Sequence, residues 1–190
     1  MTAGPSRWAW AEIDLDAIRH NVATVAGQVA PSDVWAVVKA DAYGHGAVDV
    51  ARAALDAGAG GLCVALVGEG VELRAAGIDV PILVLTEQPP DQLVDLVRHR
   101  LTATAYTTAH VEALAAAAEP GTPLDVHVKV DTGMQRVGAQ PADAGAVVEA
   151  VTAHPGRLRL AGVFTHLATA DEPGEAAAGD QLDRFDRVLA

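Results

Sequence analysis

The chain has 190 residues, of which 51% are hydrophobic and 20% are charged, so it can bury one substantial core and is not disordered. Its net charge of −12 disfavours nucleic acid and anionic membranes as partners, because phosphate binding relies on clustered Lys and Arg. The single cysteine, Cys63, rules out an internal disulfide, and we find no secretory signal and no apolar stretch of membrane-spanning length, so we expect a cytoplasmic protein.

Short apolar runs alternate with helix-forming segments along the chain. The runs show little polar alternation, which is typical of strands covered on both faces. The predicted strands are Val34–Val38, Gly61–Leu66, Ile82–Leu85, Leu101–Ala105, Leu124–Val130 and Leu160–His166. The predicted helices lie near residues 47–57, 68–76, 90–99, 107–118 and 141–153. Plausible helix-start residues are Asp91, Thr107 and Pro141. Plausible helix-end residues are Gly58, Gly77 and Pro120–Gly121.

Strand–helix alternation with short connections predicts a parallel α/β sheet. A closed (β/α)₈ barrel and an open doubly wound sheet both fit this pattern. The nucleotide-binding motifs that would suggest an open sheet are absent, so the barrel is favoured. Six strands are predicted, whereas a closed barrel has about eight strands and about 250 residues. We therefore expect a TIM-type barrel that is incomplete in this chain.

The last segment of the chain, residues 180–190, has the pattern of an amphipathic helix. No glycine, proline or other stop signal follows it. We therefore expect this chain to be the front part of a longer polypeptide. The apolar residues that the pattern places on one helical face are Leu182, Phe185, Val188 and Leu189.

Two lysines stand out among the 13 basic residues, because each ends a predicted strand and the other basic residues are arginines. A neutral lysine amine is a nucleophile that forms Schiff bases, whereas a guanidinium stays charged. Barrel enzymes place their chemistry at the carboxyl ends of strands. The residues at these ends therefore form a candidate site, although a solvated strand terminator or a core histidine is an ordinary alternative for each. They are Lys39, Tyr43, Lys129, Arg136 and His166.

The other titratable residues do not suggest a second site. His127 points the same way as Lys129 by strand alternation, but it has no carboxylate partner at useful spacing, so no metal site is predicted. Glu69 and Glu72 are predicted to form a solvated helix face. No Ser-His-Asp arrangement or nucleophile elbow occurs.

The segment Val37–Gly46, Val-Val-Lys-Ala-Asp-Ala-Tyr-Gly-His-Gly, closely resembles alanine racemases, which are pyridoxal-phosphate enzymes with a barrel domain. Three further stretches agree with that family in the same order along the chain. The resemblance therefore covers nearly the whole chain. The three stretches are Trp10–Asn21, Lys129–Gly138 and Gly162–Asp171.

The resemblance implies a role for each residue of the candidate site. Lys39 would carry pyridoxal phosphate as an internal aldimine and then move the α-proton on one face of the substrate. Tyr43 would hydrogen-bond the cofactor phosphate, and Arg136 would lie near the cofactor's phenolic oxygen and bind the substrate carboxylate. Lys129 would be the lysine that is carbamylated in many members, its negative charge orienting Arg136. His166 would lie beside the pyridine ring.

The same resemblance implies a homodimeric enzyme that interconverts L-alanine and D-alanine and supplies D-alanine for peptidoglycan. Residues 1–14 would hold a strand that belongs to a C-terminal β domain, and residues 15–190 would form part of the barrel. Racemisation needs proton transfer on both faces of the substrate, and this chain offers one base, because Tyr43 is assigned to phosphate and Tyr106 follows the fourth strand. In the family the second base is a tyrosine from the C-terminal domain of the partner subunit. We therefore expect the isolated chain to be unstable or inactive.

Two other functions stay open at this point. A non-catalytic pyridoxal-phosphate carrier built on a single barrel also has a strand-end lysine, but it lacks the continuation Asp41–Gly46 and the second lysine–arginine stretch. A related decarboxylase, or a racemase for another small amino acid, is the other alternative. The residues that govern substrate size lie largely outside this chain, so alanine as substrate is implied by the resemblance alone.

Overall fold

Six parallel strands lie side by side in chain order in the computed structural model, which describes residues 9–172 and 176–190. Each strand begins or ends within a few residues of its predicted bounds. The strands are β1 Trp35–Val37, β2 Gly61–Val64, β3 Ile82–Val84, β4 Ala103–Ala105, β5 Leu124–Lys129 and β6 Leu158–Phe164.

The strands form two parallel triplets, β1-β2-β3 and β4-β5-β6, that are joined edge to edge. The backbone N–H of Val84 donates to the carbonyl of Thr102 (2.9 Å), and the N–H of Thr102 donates to the carbonyl of Ile82 (2.8 Å). Among the described residues the strand order never reverses, whereas an open doubly wound sheet requires a reversal. The predicted α/β barrel is therefore confirmed, as a partial barrel.

Side-chain contacts across the sheet show how strongly it curves. The rings of Trp35 on β1 and His127 on β5 are 5.9 Å apart between centroids. In a flat sheet these two strands would lie about 19 Å apart, since neighbouring strands are separated by about 4.8 Å. The sheet must therefore wrap round so that β1 and β5 face each other across a common interior.

Helices connect the strands and cover the outer face of the sheet. All five predicted helices are present, and Thr107 caps α6 as expected, its hydroxyl accepting a hydrogen bond from the N–H of His110. A short 3₁₀ turn, Pro90–Gln92, precedes α5. The helices are α1 Leu15–Val29, α2 Lys39–Gly44, α3 Ala47–Asp56, α4 Val67–Ala75, α5 Leu93–Arg98, α6 Thr108–Ala117, α7 Ala144–Thr152 and α8 Ala177–Leu189.

Helix α1 is absent from the sequence prediction. Asp14 caps it, its carboxylate accepting hydrogen bonds from the N–H groups of Asp16 (2.9 Å) and Ala17 (3.0 Å). Residues 9–14 carry no regular secondary structure. The remainder of the predicted N-terminal strand segment, residues 1–8, lies outside the described residues.

The core lies between the outer face of the sheet and the helices. The central strands β2, β3 and β4 are buried along their whole length, whereas β1 and β6 are partly exposed. Cys63 on β2 is a buried core residue, as predicted, and burial raises the pKa of its thiol to about 11. None of the helices in the described part of the chain is long and apolar enough to cross a membrane. The largest fully buried side chains include Leu62, Leu73, Ile82, Leu96, Leu101 and Leu114.

Strand β5 separates two kinds of side chain by simple alternation. Leu124, Val126 and Val128 are buried toward the helices. Asp125, His127 and Lys129 alternate with them and face the interior of the sheet. This alternation carries Lys129 to the carboxyl end of the strand on the interior side.

Candidate active site

Lys39 leaves the end of β1 and begins an unusual turn, α2. The four residues Ala40–Tyr43 have φ between 50° and 58° and ψ between 33° and 51°, which is the left-handed helical region. None of the four is a glycine, and each L-residue in a left-handed helix costs about 1–2 kcal/mol. Surrounding contacts must therefore hold the turn in place.

Hydrogen bonds from several directions hold this turn. The N–H of Ala42 donates to the carbonyl of Val38 (2.9 Å). The carboxylate of Asp41 accepts from the N–H of Ala47 at the start of α3 (2.7 Å). The carboxylate of Glu69 accepts from the N–H of Ala40, the residue after Lys39 (2.6 Å). The turn that follows Lys39 is thus held by a bond within the turn and by contacts with α3 and α4.

Glu69 is one of the residues that the sequence analysis assigned wrongly. It was predicted to lie on a solvated helix face, but besides the Oε1 contact with Ala40 its Oε2 accepts hydrogen bonds from the N–H groups of Ala65 (2.8 Å) and Leu66 (3.0 Å). Its neighbour Glu72 is exposed, as predicted. No sequence signal links Glu69 to Ala40, because the contact joins residues 29 positions apart.

Lys129 ends β5 in a buried environment. Its side chain is only 4% exposed, and the ammonium lies 5.7 Å from the ring centroid of Phe164. Burial lowers the pKa of Lys129, and the positive charges of Arg136 and Lys39 lower it further. The negative charge of Asp131 acts in the opposite direction and raises it.

The loop after Lys129 is folded back on itself and carries Arg136. The N–H of Asp131 donates to the carbonyl of Ala139 (2.8 Å), and the N–H of Ala139 donates to the carbonyl of Lys129 (2.9 Å). Gly138 makes this closure possible, since a Cβ at that position would lie 2.6 Å from the backbone nitrogen of Asp131. Among the described residues the guanidinium of Arg136 has no hydrogen-bond or ion-pair partner, so it is available to an external anion.

His166 follows β6 at the same end of the sheet. Partial burial lowers its pKa, and the positive charges of Lys129, Arg136 and Lys39 lower it further, in that order. Salt largely screens exposed charges that are farther apart than about 10 Å. Lys129, Arg136 and Lys39 therefore lie within electrostatic reach of His166 at this end of the sheet; that the four residues act as one site stays a prediction.

Helix α8 joins the two loops that carry Arg136 and His166. Gln181, which is 2% exposed, donates from Nε2 to the carbonyl of His166 (2.9 Å) and to the hydroxyl of Thr132 (3.2 Å). Its Oε1 accepts from the N–H of Ala168 (2.8 Å), and Arg184 donates to the carbonyl of Thr132 (2.7 Å). The sequence analysis missed Gln181 because it considered only the apolar residues of this helix.

Tyr43 lies in the turn after Lys39 and is open to solvent. Its side chain is 60% exposed, and its hydroxyl has no hydrogen-bond partner among the described residues. Tyr106 is less accessible, and burial together with the charge of Glu87 raises its pKa. A cavity of about 610 Å³ next to Arg100, Leu124 and Asp125 lies at the opposite end of β5, away from the candidate site.

The fold and the site together define a class of protein: an α/β barrel domain that presents a lysine amine among cationic side chains at the carboxyl ends of its strands. The family model described as alanine racemase, N-terminal domain, matches residues 13–190. The chain belongs to this alanine racemase family.

Individual relatives agree with the family assignment. The alanine racemase of Desulforamulus reducens is 47% identical over 183 residues, which make up 95% of this chain and 49% of that protein. The crystal structure of alanine racemase from E. faecalis superposes with a TM-score of 0.87 at 40% identity, covering 93% of this chain and 48% of that one. The alanine racemase of Bacillus anthracis with bound L-Ala-P gives a TM-score of 0.88 at 35% identity, covering 98% and 49%. The chain thus spans about half the length of these relatives.

Proposed function

We propose that the protein containing this chain is a pyridoxal-phosphate-dependent alanine racemase, which interconverts L-alanine and D-alanine in the cytoplasm and supplies D-alanine for peptidoglycan. The observation that carries the proposal is the cationic cluster around Lys39 in a chain of the alanine racemase family. Because the chain spans about half the length of its relatives, the activity is proposed for the full-length protein, acting as a homodimer.

The residues of the site fit the chemical groups of pyridoxal phosphate. The cofactor carries an aldehyde, a phosphate and a phenolic oxygen. Lys39 offers a primary amine to the aldehyde. The exposed hydroxyl of Tyr43 is free to donate to the phosphate, and Arg136 is free to approach the phenolic oxygen. His166, which shares the electrostatic environment of Lys39, would lie beside the pyridine ring.

When bound, pyridoxal phosphate supplies an electron-poor ring that makes the α-proton of an attached amino acid acidic. The protein supplies position and bases. The Lys39 amine would take up or deliver the α-proton on one face of the substrate. Arg136 binds the substrate carboxylate through paired N–H donors and so fixes which face Lys39 meets.

A second base must act on the opposite face. Neither tyrosine of this chain suits that role: Tyr43 is assigned to phosphate, and the raised pKa of Tyr106 makes its phenolate harder to form. We therefore propose that the second base comes from the partner subunit, from a C-terminal β domain beyond residue 190.

The proposal is tested with the full-length gene product. With pyridoxal phosphate bound, we expect an absorbance band near the edge of the visible range that borohydride removes. We also expect the protein to form D-alanine from L-alanine. Lys39→Ala should abolish both the absorbance band and the turnover. A protein with the absorbance but no turnover would be a cofactor carrier, and preferred turnover of another amino acid would replace alanine as the substrate. Either result would contradict the proposal.

A matched pair of arginines tests the substrate contact. Arg136→Lys keeps a positive charge but loses the paired donors, so we expect the KM for alanine to rise about tenfold, equivalent to about 1.4 kcal/mol. Arg159→Lys is the control, because Arg159 pairs with Asp125 at the other end of β5. Equal KM values for the two variants would argue against carboxylate binding by Arg136.

A further inference from the structure

We propose that Glu69 is a positioning residue for Lys39: its carboxylate holds the left-handed turn that presents the lysine amine for covalent attachment of pyridoxal phosphate. The inference rests on the proposed function, since it gives Lys39 that attachment. Glu69 does not belong to the cationic cluster, and it acts through the backbone next to Lys39.

The two oxygens of the carboxylate serve different elements. Oε1 accepts from the N–H of Ala40 (2.6 Å), which belongs to the peptide bond that joins Lys39 to Ala40. Oε2 accepts from the N–H groups of Ala65 (2.8 Å) and Leu66 (3.0 Å), just beyond the end of β2. One side chain therefore ties the end of β1 to the end of its neighbouring strand.

Lys39 needs such a tie because the backbone after it adopts an unfavourable conformation. Ala40 has φ 51° and ψ 51°, although alanine prefers the right-handed and extended regions. If the N–H of Ala40 lost its acceptor, the Lys39–Ala40 peptide could rotate toward these regions. That rotation would loosen the backbone from which the Lys39 side chain extends.

Glutamine cannot replace Glu69 in this arrangement. Its side-chain amide has one accepting oxygen, and its NH₂ group is a donor that would face a backbone N–H. Glu69→Gln therefore leaves either Ala40 or the Ala65–Leu66 pair without an acceptor. Glu72→Gln is the matched control. It makes the same chemical change on the same helix, at an exposed residue that lacks these hydrogen bonds.

The experiment titrates pyridoxal phosphate into the cofactor-free full-length protein and reads both the visible absorbance and the borohydride-trapped peptide containing Lys39. We expect Glu69→Gln to bind the cofactor about ten- to a hundredfold more weakly, the effect of losing a hydrogen bond to a charged group, with Glu72→Gln unchanged. Amide exchange in the cofactor-free protein should accelerate over residues 40–43 in Glu69→Gln alone.

A second substitution separates positioning of Lys39 from a simple role in starting α4. Glycine adopts positive φ without steric cost, so Ala40→Gly added to Glu69→Gln should restore part of the lost cofactor affinity. A role limited to α4 predicts no recovery. Unchanged affinity in Glu69→Gln, or a loss that Ala40→Gly does not recover, would overturn the inference. If the wild-type protein forms no borohydride-stable link at Lys39, the proposed function itself fails, which is a distinct result.

Discussion

At the scale of single residues, Lys129 shows how surroundings change the chemistry of a common side chain. Lysine is almost never fully buried unless it is paired, yet Lys129 is 4% exposed and shares its site with two other cations, Arg136 and Lys39. Its pKa is lowered by burial first and by these charges second, and Asp131 offsets only part of the effect. The neutral amine, which is the form that reacts with carbon dioxide, is thus formed more readily than in a solvated lysine.

Conversion of Lys129 to a carbamate would replace a repelled cation with an anion facing Arg136. We predict that the full-length protein, equilibrated with isotope-labelled bicarbonate in mildly alkaline buffer, shows a carbamate carbonyl signal by NMR. Lys129→Arg should lack this signal, keep the cofactor link to Lys39, and lose about tenfold in kcat/KM, equivalent to about 1.4 kcal/mol. A Lys129→Arg variant with wild-type kinetics would leave Lys129 as a buried structural lysine.

The residues of the cluster could be predicted from sequence because they follow strand ends, and parallel strands bring their carboxyl ends to one edge. The hydrogen bonds that hold the turn after Lys39 could not be predicted from the sequence. Residues 40–43 contain no glycine, and Asp41 is the only one of the four that tolerates positive φ well, so four successive left-handed residues leave little local trace. Without that turn, nothing indicates that the N–H of Ala40 points toward Glu69.

At the scale of elements, helix α8 illustrates the difference between predicting a helix and predicting its buried face. The helix forms, and Phe185 and Val188 of its apolar stripe pack on the core. Leu182 and Leu189, predicted on the same face, are 47% and 56% exposed. The most buried residue is the polar Gln181, because the neighbouring loops offer backbone groups that need hydrogen-bond partners.

Gln181 should therefore matter more to stability than the apolar stripe suggests. Gln181→Leu keeps a similar volume but leaves the carbonyl of His166 and the N–H of Ala168 without the partner that Gln181 provides, so we expect the free energy of unfolding to fall by about 3 kcal/mol. Asp183→Asn, an exposed change on the same helix, should alter it by less than about 0.5 kcal/mol. Denaturant unfolding of the full-length protein measures the unfolding free energy of both variants. Equal unfolding free energies for Gln181→Leu and Asp183→Asn would show that Gln181 does not stabilise the two loops.

At the scale of the whole molecule, chain order alone predicted the order of the strands, since strand–helix alternation favours sequential parallel neighbours. The curvature of the sheet depends on contacts between distant strands. Trp35 and His127 meet across the interior, and a Cβ on Gly61 would lie 2.6 Å from the Trp35 ring. Neither the alternation nor any local motif identifies that contact.

Burial of titratable groups within this fold affects how stability depends on pH. Burial lowers the pKa of His110, His127 and His166 below the usual histidine value of 6.5. Glu87 and Asp125 oppose the shift at the first two residues without cancelling it. In each case the unfolded chain binds a proton more readily than the folded one.

The sign of the effect follows from this difference in proton binding. Below about pH 6.5 the unfolded state takes up protons that the folded state does not, so the free energy of unfolding should decrease as the pH falls and be unaffected by these groups at higher pH. His110 is the sharpest test, because it is 8% exposed and its Nε2 has no hydrogen-bond partner in the described structure.

We predict that His110→Leu flattens the loss of stability between about pH 7 and pH 5. Comparing the change in unfolding free energy across this range within each variant removes any packing effect that is independent of pH. His20→Leu, at an exposed position on α1, should keep the wild-type slope. Denaturant unfolding of the full-length protein at several pH values measures the slopes. A His110→Leu slope as steep as that of the wild type would show that the acid sensitivity arises from other groups.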